Sequence, residues 1–242
     1  MSERRKSPVI PLAVAAVAGV LLLASLIGAV TAGGNESAPA GESATTGTNQ
    51  QGKAPDGTWA KLVRREPDDP LALGKVDAPV VMLAYSDFQC PFCGKFARDT
   101  EPTLVDKYVD DGTLRIEWRD FPYLGPESET AAEAGRAAAD QGKFWEFHDA
   151  MYAHQLPPNS GKLDDDYLVH VAEQLGLNVD KFRADMAAKS TKQGIAKDFA
   201  EGQAIGVTGT PAFVINGVPV IGAQPTEVFE RTIEKAAEEA GG

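Results

Sequence analysis

The sequence predicts a mixed α/β domain in which a βαβ unit and a closing ββα unit share one sheet, with an all-helical segment inserted between them. Three observations carry this. The apolar run Val80-Val81-Met82-Leu83-Ala84-Tyr85 leads through Cys90-Pro91-Phe92-Cys93 into a helical pattern. Residues 128–206 switch to helical spacing. Asn216-Gly217, the strongest two-residue hairpin signal, then joins two short runs of strand-forming residues.

In chain order, Arg4, Arg5 and Lys6 precede an apolar run at 9–32, as long as the roughly 20 residues that cross a bilayer. The basic stub at 1–8 stays cytoplasmic by the positive-inside rule, which places everything downstream outside. The expectation is a single-pass anchor in the cell membrane. Cleavage after Val30-Thr31-Ala32, releasing a secreted domain, is the alternative, although a cleaved apolar core usually spans only about 7–15 residues. Residues 33–57 are Gly, Ser, Thr, Asn, Gln, Ala and Pro with almost nothing to bury. They read as a flexible tether reaching about 25–30 Å. The folded domain spans 58–242. The chain of 242 residues carries 23 basic against 35 acidic side chains, a net charge of −12. That argues against nucleic acid as partner, since no basic stripe neutralises phosphates.

After a lead-in at Leu71-Ala72-Leu73-Gly74, the run at 79–85 reads as a central parallel strand, apolar throughout. A helix follows from the cysteines to about Asp110, with a kink where the Pro102 ring meets the Arg98 carbonyl. Asp111-Gly112 ends it, and 114–118 alternates as a second strand, joined to the first by a right-handed crossover. The insertion at about 128–206 shows a small-residue face (Ala131, Ala134, Ala138), then Phe144, Phe147 and Met151. Leu168, Val171, Ala172 and Leu175 suggest a further helix, and Ile195, Phe199 and Ile205 the last. The run Asp164-Asp165-Asp166 reads as a helix N-cap rather than a metal site. Strands at 212–215 and 218–221 follow, the second an edge because Pro219 cannot donate to a ladder. Pro225 opens a final helix burying Val228, Phe229, Ile233 and Ala237.

Cys90 and Cys93 are the only cysteines of the chain. A pair spaced C-x-x-C between a strand and a helix is the setting of a redox catalyst. A zinc site would need partners such as His148, His154 or His170, which show no ligand-like pairing, so no metal is expected. A purely structural disulfide would close too short a loop to contribute much entropy. His148, flanked by Trp145 and Phe147, reads as a packed histidine.

Three segments then carry a resemblance. Asp77-Ala78-Pro79-Val80 leads into Tyr85-Ser86-Asp87-Phe88-Gln89-Cys90-Pro91-Phe92-Cys93; Lys143-Phe144-Trp145-Glu146-Phe147-His148 lies in the insertion; Val207-Thr208-Gly209-Thr210-Pro211-Ala212-Phe213 precedes the hairpin. Over about residues 70–240 the chain resembles the DsbA-like thiol–disulfide oxidoreductases of the thioredoxin-like superfamily, in their membrane-anchored form. The resemblance implies a thioredoxin fold with a helical insertion, acting as a monomer without a cofactor. It implies that Cys90 is the exposed nucleophile, Cys93 the buried resolving thiol and Pro211 a cis-proline facing them. Thr210 would pair with an extended substrate, with Pro91 and Phe92 also contacting it. The activity implied is oxidation of dithiols in exported proteins, with re-oxidation by a membrane quinone-linked partner of the DsbB or vitamin K epoxide reductase type. A reductase or isomerase using the same cysteines, and a non-catalytic peptide-binding or chaperone module, are the alternatives. The chain departs from the family in two places. No His stands between the cysteines, so Cys90 should be less acidic than in CPHC proteins. Ala84 stands where many relatives hold a buried acid, and Asp87 is the candidate to replace it in proton transfer or thiolate tuning.

Overall fold

The computed structural model of the chain describes residues 59–241. The apolar run at 9–32 and the tether at 33–57 lie outside them. Among the described residues no helix is long and apolar enough to cross a membrane.

A five-stranded mixed sheet has the order β1-β3-β2-β4-β5. Strand β2 (Val80–Ser86) runs parallel to β3 (Leu114–Asp120) and antiparallel to β4 (Ala212–Ile215). The Asn216-Gly217 turn returns β4 into the edge strand β5 (Val218–Ile221), where Pro219 lies opposite Val214. The opposite edge is β1 (Ala72–Leu73), antiparallel to β3, in the segment expected to be only a lead-in. Two residues are too few for alternation to reveal a strand.

Because β2 is central, its side chains alternate between two buried layers. Val80, Met82 and Ala84 pack with Phe96, Leu104, Phe229 and Ile233. These come from α1 (Pro91–Asp99), α2 (Glu101–Leu104) and α8 (Thr226–Ala240). Val81, Leu83 and Tyr85 pack on the other face with Phe121 and Val214, flanked by Phe199 of α7 (Lys189–Ala204). The expected kink at Pro102 is a break. Helix α1 stops at Asp99, α2 restarts at Glu101, and a π turn at Val105–Val109 closes with Asp110 N–H donating to the Val105 carbonyl at 3.1 Å.

The insertion comprises α3 (Pro126–Ala139), α4 (Phe144–Ala153), α5 (Asp165–Gln174), α6 (Val179–Ala187) and α7. Asp164 caps α5, accepting from the Tyr167 amide at 2.9 Å. Helix α6 is an addition to the expected set: Asn178 caps it, and Phe182 and Met186 bury one face. The insertion has its own core, and Phe88, Cys90, Cys93 and Trp118 belong to it.

Strand β3 differs from a half-solvated strand. Its alternating Arg115, Glu117 and Arg119 are buried. The Glu117 carboxylate accepts from the Arg64 and Arg65 amides at 3.1 and 2.9 Å and from the Arg115 and Arg119 guanidiniums at 3.2 and 2.9 Å. Arg119 also reaches Glu201 of α7 at 2.9 Å, which accepts from the Tyr85 hydroxyl as well. The segment before β1 and helix α7 thus cover a charged face that would otherwise be wet.

Candidate active site

Cys90 is the N-cap of α1, with extended backbone (φ −71°, ψ 118°), and Pro91 fills the first helical position. Proline suits that position because its missing N–H would have no intrahelical partner. A sulfur at an N-cap faces the free amides of the first turn and the positive end of the helix dipole. Accordingly Cys90 is lowered to about 6. The Cys93 thiol donating to it contributes most, burial opposes, and the Thr210 hydroxyl and the Cys93 and Phe92 amides add to the lowering. One contact works the other way: the Cys90 thiol donates to the Thr210 carbonyl at 3.2 Å, a bond open only to the protonated form. The donors to the thiolate outnumber it.

The expectation of an exposed nucleophile is corrected. Cys90 is only 5% exposed, its sulfur lying under the Thr210 carbonyl, whereas Phe92 beside it is 62% exposed. The Thr210–Pro211 peptide is cis. Both cysteines are free thiols. Cys93, one turn into α1, is 1% exposed. Burial pushes its thiol well above the ordinary value and the neighbouring Cys90 adds to this, while the Ser86 hydroxyl and the Asp87 amide favour its thiolate. The two sulfurs are therefore driven apart: Cys90 ionises first, and Cys93 holds a proton.

Asp87 is buried, and its carboxylate accepts from the amides of Gln89 (2.8 Å), Tyr123 (2.8 Å) and Leu124 (3.0 Å). Burial raises it despite these bonds. Its carboxylate ties the loop before Cys90 to the loop after β3, while its amide faces Cys93. Ala84 is packed in the apolar layer under α1 and α8, so no acid stands behind Cys93 from that strand position.

Ser128, Tyr152, Gln155 and Asn159 gave no sequence signal because they reach the cysteine loop from the insertion. Gln155, just past α4, donates to the Phe88 and Cys90 carbonyls, both at 2.9 Å. Gln89 donates to Ser128 at 2.8 Å and accepts from the Asn159 amide at 2.7 Å. The Tyr152 hydroxyl donates to the Asp87 carbonyl at 3.0 Å and lies 3.2 Å from the Ser86 hydroxyl. His148 is packed among Phe88, Trp118, Trp145 and Tyr152. It also lies 3.5 Å from the buried Glu101 carboxylate. Among the described residues no His, Cys, Asp and Glu cluster of metal-binding type is gathered.

Phe92, Tyr123 and Ile221 are exposed. A groove of about 340 Å³ runs along Val207, Thr208, Thr210 and Pro211 to Ile221.

Residues 66–235 match the thioredoxin family. Over 166 residues the chain is 37% identical to the Na(+)/H(+) antiporter NhaA 3 of Salinispora tropica, covering 68% of this chain and 24% of that protein. It thus spans about a quarter of the antiporter's length. Over 150 residues it is 32% identical to the probable disulfide bond formation protein D of Bacillus cereus, covering 60% of this chain and 69% of that protein. The crystal structure of alpha-DsbA1 from Wolbachia pipientis aligns with a TM-score of 0.66 at 26% identity, over 74% of this chain and 96% of that one.

Proposed function

The chain belongs to the DsbA-like thiol–disulfide oxidoreductases of the thioredoxin family, and from that premise we propose that it is an extracytoplasmic dithiol oxidase for exported proteins. The observation that carries the reading is the geometry of the pair: Cys90 caps α1 beneath the cis Thr210–Pro211 peptide, with Cys93 buried one turn into the same helix. In the oxidised form a substrate thiolate attacks the Cys90 sulfur. A bond forms between the substrate sulfur and Cys90, the Cys90–Cys93 bond breaks, and Cys93 leaves as a thiolate that takes up a proton. A second substrate thiolate then attacks the first substrate sulfur and Cys90 leaves as its stabilised thiolate. The substrate loses two electrons and gains a disulfide; the pair Cys90/Cys93 gains them.

Thr210, Pro211, Pro91 and Phe92 form the substrate platform in this reading. An unfolded segment extends along Thr210 in strand-like pairing, with Phe92 and Ile221 offering apolar contact. The relative named for disulfide bond formation supports the oxidising direction. The run at 9–32 anchors the domain outside the membrane, beside a quinone-linked re-oxidase of the DsbB or vitamin K epoxide reductase type.

Mixing the oxidised protein with a reduced dithiol peptide should yield one peptide disulfide per chain. After reduction, alkylation of Cys90 should rise with pH around a midpoint of about 6, since the thiolate reacts and the thiol does not. A midpoint near the free-thiol value of about 8.5 would show that the N-cap geometry does not activate Cys90.

A further inference from the structure

We propose that Gln155, on the loop that follows α4, is a positioning residue for the nucleophile. Its carboxamide pins the Cys90 carbonyl and so holds closed the first turn of α1, on which the reactivity of the Cys90 sulfur depends. The inference rests on the exchange chemistry proposed above and names the part of the insertion that serves it.

The partners fix the orientation of the carboxamide. Gln155 Nε2 has two hydrogens and two acceptors, the Phe88 and Cys90 carbonyls, both at 2.9 Å. The reverse orientation would set its oxygen against two carbonyl oxygens. The Cys90 carbonyl also accepts from the Gly94 amide at 3.1 Å, the bond that closes the first turn of α1. Pro91 and Phe92 on that turn are exposed and offer little packing to hold it. From the same loop, the Asn159 amide donates to the Gln89 side chain at 2.7 Å, so the loop grips residues 88–90 through three bonds.

Gly94 makes room for this grip. A β-carbon at Gly94 would land on the Gln155 carboxamide oxygen and 2.9 Å from its carbonyl carbon. It would also come 2.7 Å from Arg98 Nη1, which donates to the Tyr152 carbonyl at 2.6 Å and docks the end of α4 on α1. Alanine is the better helix former, so the glycine serves the Gln155 seat rather than the helix. A thiolate at an N-cap is favoured by the free amides and the dipole of the first turn, and both weaken when that turn frays. Without Gln155, Cys90 becomes less acidic and a poorer leaving group.

Gln155→Met keeps the bulk and removes both donors. In the reduced protein the midpoint of Cys90 alkylation should rise by about half a unit, so that alkylation at a pH below the midpoint slows about threefold. Gly94→Ala, which displaces the carboxamide, should raise the midpoint as far although it favours the helix. Combining the two substitutions should shift it no further than either alone, because both break one contact. A packing role for Gln155 would move thermal stability and leave the midpoint in place. The proposal is overturned by a parental midpoint in Gln155→Met, or by shifts that add in the double variant. Alkylation is read on the reduced protein, so these outcomes stand apart from whether the parent passes a disulfide to a peptide.

Discussion

Cys90→Ser is expected to abolish peptide oxidation, lowering the rate at least about a thousandfold, to the uncatalysed background. The remaining Cys93 is a single thiol, so the variant holds no disulfide to pass on, and that thiol is buried and poorly ionised. The protein should still fold, because the serine hydroxyl suits an N-cap as well as a thiol does, and circular dichroism checks this. The measurement is the disappearance of peptide thiols with time. A non-catalytic peptide-binding module would give equal results for parent and variant, which makes this substitution decisive between those two readings.

The second large effect concerns stability. Glu117→Ala leaves Arg115 and Arg119 buried without their shared carboxylate and strands the Arg64 and Arg65 amides. Breaking a buried ion pair by removing one partner costs about 3–5 kcal/mol, and denaturant unfolding should show a loss of that size. The pH dependence has a definite sign. Burial disfavours the Glu117 carboxylate, but the Arg64 and Arg65 amides and Arg119 outweigh burial and hold its pKa below the ordinary value. A depressed folded-state pKa contributes stability that is present above the unfolded value of about 4.3 and is lost as pH falls through the folded value. Between those values the stability of the parent should therefore fall more steeply with acid than that of Glu117→Ala. Equal slopes would contradict the assignment of Glu117 as an ionised hub.

Much of this architecture was legible because period and punctuation agreed. Seven consecutive buried residues in β2, the Asn216-Gly217 turn and Pro219 at an edge each have one structural meaning. The motif Cys90-Pro91-Phe92-Cys93 likewise carried its own geometry, with Pro91 at the first helical position and Cys90 as cap. What stayed hidden depends on contacts between distant segments. Arg115, Glu117 and Arg119 alternate as a wet strand would, and only the packing of Arg64, Arg65 and Glu201 against them reveals a buried network. Ser86, Tyr152 and Gln155 look like ordinary strand and helix polar residues until α4 is laid against α1. Cys90 looks exposed from its place in the motif, and is covered by a loop more than a hundred residues later.

The potential of the Cys90/Cys93 pair sets the direction of electron flow. A Cys90 pKa of about 6 lies between about 7 for thioredoxin and about 3.5 for DsbA, so the disulfide should be more oxidising than thioredoxin's without reaching the DsbA extreme. Structural disulfides of secreted proteins have potentials below about −300 mV, and every 30 mV is worth about 1.4 kcal/mol, so even an intermediate potential drives their formation. Equilibration of the protein with glutathione buffers measures this directly. A potential between about −230 and −120 mV is expected; a value at or below about −270 mV, that of thioredoxin, would assign the site to reduction.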